Sequence, residues 1–187
     1  DGTFEISYSI TRAGFYSLDI SASTGPEGLK GTPAPVRVYP NRAAASTAVV
    51  VGTGLSKASV DHVASFTIHS FDLFGNARPQ GQESFAVVLE GGWTQAVDGS
   101  SRSVTRKAGI VQDLKNGSYA VTYYVSHSGP YSVQVSLDSV EISGSPFSTY
   151  VHSSETWIPM CEPMTVVPIR LPAGENKLKV LAKDRFG

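Results

Sequence analysis

Apolar and polar residues alternate along much of this chain with a period of two, the spacing that puts every second side chain on one face of a strand. Phe66, Ile68 and Ser70 share one face, and Thr67 and His69 the other. Phe85, Val87 and Leu89 form a second set, Tyr119, Val121 and Tyr123 a third, and Tyr131, Val133 and Val135 a fourth. Turn-favouring clusters separate them: Phe74-Gly75-Asn76, Glu90-Gly91-Gly92, Lys115-Asn116-Gly117 and Ser128-Gly129-Pro130. No segment carries a helical period. Short alternating strands with frequent turns predict an all-β fold built as an antiparallel sandwich.

The pattern also repeats. Shifted by 115 positions, Gly2, Phe4, Ile6 and Tyr8 fall on Gly117, Tyr119, Val121 and Tyr123. The same shift places Gly14, Tyr16, Leu18 and Ile20 on Gly129, Tyr131, Val133 and Val135. Gly31-Thr32-Pro33 matches Gly144-Ser145-Pro146 at an offset of 113, a slip of two that an indel in a surface loop produces. Near the other end, Phe66 to Gly75 aligns with Leu178 to Gly187 at an offset of 112, so Asp72-Leu73-Phe74-Gly75 meets Asp184-Arg185-Phe186-Gly187. One unit of about that length explains all three offsets. The chain reads as a window onto a longer array, starting and stopping within a unit.

Composition narrows the classes. The 187 residues are 41% hydrophobic and 17% charged, with Gly 18 and Pro 11, the make-up of a turn-rich globular protein. A formal net charge of −1 gives no electrostatic reason to expect nucleic acid or an anionic membrane as partner. No apolar run approaches the roughly 20 residues of a membrane helix, and Asp1-Gly2-Thr3 does not resemble the start of a signal peptide. The single cysteine, Cys161, cannot close a disulfide within the chain, which favours a reducing compartment.

The ordered motifs resemble the filamin repeat. Asn116-Gly117-Ser118-Tyr119-Ala120-Val121-Thr122-Tyr123, then Gly129-Pro130-Tyr131-Ser132-Val133, then Gly144-Ser145-Pro146-Phe147 follow that family's last three strands. Asp1-Gly2-Thr3-Phe4, Gly14-Phe15-Tyr16 and Gly31-Thr32-Pro33 repeat them, and Gly52-Thr53-Gly54-Leu55 is similar to the family's first strand. The resemblance implies tandem immunoglobulin-like antiparallel β-sandwiches. It assigns residues 1–40 to strands E to G of one repeat, 44–152 to a complete repeat, and 153–187 to strands A and B of a further one. Two stretches depart from the pattern. Residues 93–107 lengthen the connection between strands C and D into a long loop, and Trp157 to Pro172 lacks the usual opening.

Little in the chain suggests chemistry. His62, His69, His127 and His152 stand in no metal-ligand spacing with Cys161 or with paired carboxylates. Asp72-Leu73-Phe74-Gly75 and its recurrence at Asp184 read as a turn after strand B in which the aspartate accepts backbone hydrogen bonds. No nucleophile elbow or phosphate-cradling loop is present, so no catalytic residue, cofactor or metal is expected. Asn116-Gly117-Ser118 matches a glycosylation sequon and equally a hairpin turn. Trp157, Met160, Cys161 and Met164 read as an inter-repeat connection.

Function is therefore expected in protein binding. Alternation leaves Ala86 and Val88 of strand C outward, with Ala108 and Ile110 of a strand D near Ala108–Gln112 on the same outer side. Resemblance to filamin repeats implies that this C–D face takes up a partner's strand by β-augmentation; the alternative is that the long loop or a neighbouring repeat covers it. Trp93, on that loop, is either a partner anchor or a lid over the sandwich end. The resemblance implies a scaffold or spacer that binds cytoskeletal or assembly components and neighbouring repeats. Its setting would be cytoplasmic, with cytoskeletal or flagellar, dynein-like hosts. A cell-surface adhesion ectodomain such as a gamete-adhesion protein is the competing reading.

Overall fold

The computed structural model describes residues 2–21, 30–95, 102–154, 162–163 and 180–182. Along them run fourteen strands. β1 (Gly14–Leu18) and β2 (Ala34–Val38) come first. Then follow β3 (Val49–Val51), β4 (Lys57–Ser59), β5 (Ala64–His69) and β6 (Phe85–Gln95). Next are β7 (Arg102–Ala108), β8 (Ile110–Asp113), β9 (Ser118–Tyr123) and β10 (Gly129–Leu137). β11 (Val140–Glu141), β12 (Phe147–His152), β13 (Glu162–Pro163) and β14 (Val180–Leu181) close the series. The helical content of the described residues is two single 3-10 turns, Ala45–Thr47 and Thr53–Leu55. Gly52 to Leu55, expected within a first strand, thus forms the turn between β3 and β4.

Two sheets face each other. One has the order β3-β5-β9-β8; the other is β4-β12-β10-β6-β7, with β11 attached to β10. Within these two sheets pairing is antiparallel except between β12 and β4. The inward sets are those the alternation marks: Phe66 and Ile68, Phe85, Val87 and Leu89, Tyr119, Val121 and Tyr123, and Tyr131, Val133 and Val135 are all buried. Ser70 is buried with them because its hydroxyl donates to the Gly117 carbonyl at 2.9 Å.

The core tyrosines carry their polar ends to partners, as burial in a low-dielectric interior requires. Tyr119 packs its ring 4.8 Å from that of Phe85, and its hydroxyl accepts the Glu83 N–H at 2.9 Å. Tyr123 donates to the Gly54 carbonyl. Tyr131 donates back to the His127 carbonyl at 3.0 Å, fixing the corner between β9 and β10. Among the described residues no buried side-chain nitrogen or oxygen lacks a partner.

Outside the two sheets, β1 and β2 form an antiparallel hairpin, and β13 pairs with β14. The turn after β5 is organised by Asp72, as its sequence suggested. Its Oδ1 accepts the N–H groups of Phe74 and Asn76, both at 2.9 Å. Cys161, Trp157, Met160, Met164 and the Asp184–Gly187 copy of this turn lie outside the described residues.

Candidate functional site

Strand β6 carries the face singled out by the sequence. Its buried residues point at the core, while Ala86 is exposed and Val88 half-buried on the opposite face. One edge of β6 pairs with β10, from Leu137↔Phe85 to Tyr131↔Gly91. The other edge pairs with β7, from Val88↔Ala108 to Gln95↔Arg102.

The second pairing corrects the expected loop. Residues 93–95 and 102–107 stay in the sheet, with β6 continuing to Gln95 and β7 returning along it, while residues 96–101 lie outside the described residues. The hairpin escaped sequence reading because Arg102-Ser103-Val104-Thr105-Arg106-Lys107-Ala108 offers one large apolar residue, so no period-2 apolar signal exists. Backbone pairing with β6 alone makes it a strand. Likewise Glu90-Gly91-Gly92, expected as a turn, lies inside β6 as a bulge, with the register shifting between Gly91 and Trp93. Gly92 has φ +67°, and a Cβ there would lie 2.1 Å from the Tyr131 hydroxyl, so only glycine fits.

Ala108 and Ile110 do not share a strand. Ala108 ends β7 opposite Val88, whereas Ile110 begins β8 opposite Thr122 in the other sheet. The crossing is made at Gly109, whose N–H donates to the Val87 carbonyl at 2.9 Å and whose Cβ, if present, would meet Val87 side-chain carbons at 3.0 and 3.1 Å. Close approach of the crossing backbone to the core is what places the ends of β7 and β8 side by side.

The result is a two-strand margin. β7 ends the six-stranded sheet and β8 ends the four-stranded one. The outer face of β6 and β7 pairs Val88 with Ala108 and joins Glu90 to Arg106 through an ion pair of 3.2 Å. Both partners of that pair are exposed enough for it to contribute little to stability. Val104 is exposed, and Ile110 is 71% exposed. Trp93 stands opposite Val104 in the backbone register, and its side chain lies outside the described set. Asp113 closes the margin; its carboxylate accepts the N–H groups of Lys115 and Gln82 and an ion pair from Lys115 Nζ at 3.1 Å. The Lys115 N–H foremost, with Gln82 and the ammonium, holds its pKa below the ordinary aspartate value despite partial burial.

No group of three or more His, Cys, Asp or Glu among the described residues could hold a metal. His69 bonds Ser118 Oγ at 2.9 Å on the polar side of β5, and His127 lies in the turn before β10. A shallow hollow of about 420 Å³ lined by Thr53, Lys57, Ser59, His62, Val63 and His152 lies away from the β6–β8 margin. No helix of the described residues is long and apolar enough to cross a membrane.

Comparison with known proteins places this geometry. The Filamin/ABP280 repeat matches residues 42–148. Filamin-C of Rattus norvegicus is 28% identical over 157 residues, covering 83% of this chain and 5% of filamin-C. E3 ubiquitin-protein ligase TRIM71 of Rattus norvegicus is 32% identical over 107 residues, 57% of this chain and 11% of TRIM71. The chain therefore spans a small part of either relative's length. In fold it is similar to FdeC, an Escherichia coli adhesin, with a TM-score of 0.56 at 18% identity over 95% of this chain and 52% of FdeC.

Proposed function

This chain belongs to the filamin-repeat family, a structural, non-catalytic module for protein interaction, and from that premise we propose that it is part of a scaffold whose β7–β8 margin takes up an extended strand of a partner protein. Residues 44–152 form the complete repeat, 1–40 the end of a preceding one and 153–187 the start of a following one. The scaffold acts as a spacer in a cytoskeletal or flagellar, dynein-like assembly.

The observation that carries the reading is the outer edge of β7, which pairs with no strand among the described residues. At seven residues it is the longest terminal strand of the two sheets, against three in β3, three in β4 and four in β8. The edge of β6 from Val88 to Gln95 is already taken by β7, so strand addition at the C–D face occurs on β7 itself. Main-chain hydrogen bonds supply affinity, while Ala108, Val104 and Ile110, beside Val88 and Ala86, offer the apolar relief that gives specificity. β7 carries Arg102, Arg106 and Lys107 and no acidic residue. Two such edges repel one another, which disfavours pairing of copies, whereas a strand bearing acidic residues is attracted.

The test is selection of peptides from a random display library against the folded chain. The expected binders alternate apolar and acidic residues and perturb backbone amide resonances of 102–110. Ile110→Glu and Val88→Glu then weaken them about tenfold, or ~1.4 kcal/mol. Binders that perturb only β3 or β4, or that survive both substitutions, sink the proposal. Asn116 is exposed, with its Oδ1 accepting the Ser118 N–H at 3.0 Å. That exposure favours the adhesion-ectodomain reading as a second one, and glycosidase sensitivity of the native protein would decide for it.

A further inference from the structure

The turn after β5 also reaches out of the sandwich. Asn76 Nδ2 donates to the Thr11 carbonyl at 2.8 Å, and its Oδ1 accepts the Ala13 N–H at 2.8 Å. One side-chain amide thus engages a carbonyl and an N–H two residues apart, as a neighbouring strand would. Nδ2 is also held by Asp72 Oδ2 at 2.8 Å, which fixes the amide's orientation before it meets the segment. Asp72 Oδ2 accepts the Asn41 N–H at 2.9 Å, and Arg78, anchored to Glu83 at 2.8 Å, donates to the Asn41 carbonyl at 2.9 Å.

We infer that this turn is a joint: Asp72, Asn76 and Arg78 grip the corner before β1 and the strand-to-sandwich linker, setting a defined angle between successive units. Every atom gripped on the preceding side is a main-chain atom of Thr11, Ala13, Pro40 or Asn41. The joint therefore reads backbone shape and linker length rather than side chains, and accepts any preceding unit with the same corner. That corner has a counterpart in the complete unit. Tyr16 donates to the Arg12 carbonyl at 2.8 Å, and Tyr131 makes the matching bond to His127 at 3.0 Å. The turn's own sequence recurs at Asp184-Arg185-Phe186-Gly187, outside the described residues. The corner recurs at Tyr131 and the turn's aspartate recurs at Asp184, so the proposed joint extends to a following unit. Without such contacts, relative motion is the default for linked units; a spacer with set angles needs them.

The inference rests on reading residues 1–40 as the end of a unit and is independent of any partner at β7. The experiment measures inter-unit distance in the whole chain. Spin labels are placed at Ser17→Cys and Ser148→Cys, both exposed positions, in a Cys161→Ser background. The expected result is a single narrow distance distribution that broadens about twofold or more in Asn76→Ala. Asn76→Asp, which keeps the acceptor for Ala13, falls between. Ala13→Pro removes the N–H from the preceding side without touching the sandwich, and is expected to broaden the distribution at an unchanged melting temperature. A distribution already broad in the parent chain overturns the joint, and so does one that stays narrow in both Asn76→Ala and Ala13→Pro. Peptide binding at β7, unaffected by these variants, separates failure of the joint from failure of the docking margin.

Discussion

Phe4, Ile6 and Tyr8 hold the positions that Tyr119, Val121 and Tyr123 hold 115 residues later, yet the first three are 90%, 61% and 56% exposed and the second three 1%, 0% and 3%. The difference lies in what is available to pair. In the complete unit, β9 sits between β5 and β8, and its registers join Phe66 to Val121 and Val111 to Val121. The early copy has no such neighbours among the described residues, and residues 2–10 form no strand. The hairpin that follows is different. Gly14↔Val38 through Leu18↔Ala34 repeats Gly129↔Val151 through Val133↔Phe147, pair for pair. Contacts close in sequence thus recur without a core, whereas the strand that depends on distant partners does not.

The largest break of this comparison is to cut it apart. Residues 1–40 made alone are expected to show no cooperative thermal transition by circular dichroism, since a hairpin without an opposing sheet is marginal at best. A cooperative melt of that peptide would refute both the unit boundaries and the account of exposure. Next in size are matched substitutions. Tyr119→Ala removes a buried ring packed on Phe85 and is expected to cost about 3–5 kcal/mol in urea unfolding. Phe4→Ala, at the equivalent exposed position, should stay within about 0.5 kcal/mol. Equal effects would mean that the early copy is buried in solution.

How much of this was legible follows the same division between near and far. The inward residues were readable because alternation needs only a strand and a wet side; Phe85, Val87, Leu89 and Ser70 lie where the period put them. Asp72 was readable as a turn residue because its acceptors serve groups two and four residues on. The candidate face was less readable. Ala86 and Val88 could be placed on an outer surface, but β7 could not be seen, because a strand polar on both faces has no period to detect. Gly91-Gly92 looked like a turn because a glycine pair signals positive φ and does not say whether the chain reverses or bulges. The grip of Asn76 on Thr11 and Ala13 joins groups more than sixty positions apart through backbone atoms, and side-chain identity holds no record of it.

Acid and alkali sharpen the comparison at an intermediate scale, through groups of the sandwich whose values are shifted. Burial tends to raise the pKa of Asp72. The Asn76 amide and the N–H groups of Asn41, Asn76 and Phe74 outweigh it and hold the carboxyl below its ordinary 3.8. Because the folded pKa is the lower one, its stabilisation is full above about pH 4 and is lost as pH falls through the folded value. Acid should therefore unfold the sandwich and release the hairpin together. Asp72→Ala, which strips those N–H groups of their acceptor, should cost about 2–3 kcal/mol at neutral pH and flatten the acid limb. An acid limb unchanged in that variant would reassign it. Burial raises the phenols of Tyr119, Tyr123 and Tyr131. Their contribution is present below about pH 10 and lost as pH rises through the folded values.

The smallest predicted effect is the most discriminating, because it compares one hydrogen bond in two settings. Tyr131 and Tyr16 both donate to the carbonyl four residues back, at 3.0 and 2.8 Å. The Tyr131 ring is buried, and its loss of the hydroxyl leaves the His127 carbonyl seeking a new partner at the edge of a core. Tyr16 is partly open to water, which replaces the bond at little cost. Tyr131→Phe is therefore expected to lower sandwich stability by about 1 kcal/mol, and Tyr16→Phe to leave the global melt unmoved. If Tyr16→Phe cost as much, the corner would be stabilising the array through the Asn76 contact beside it, and the early copy would count as part of the cooperative unit. Combining Tyr16→Phe with Asn76→Ala would decide between those cases. Additive effects keep the two copies separate, and a coupling above about 0.5 kcal/mol joins them.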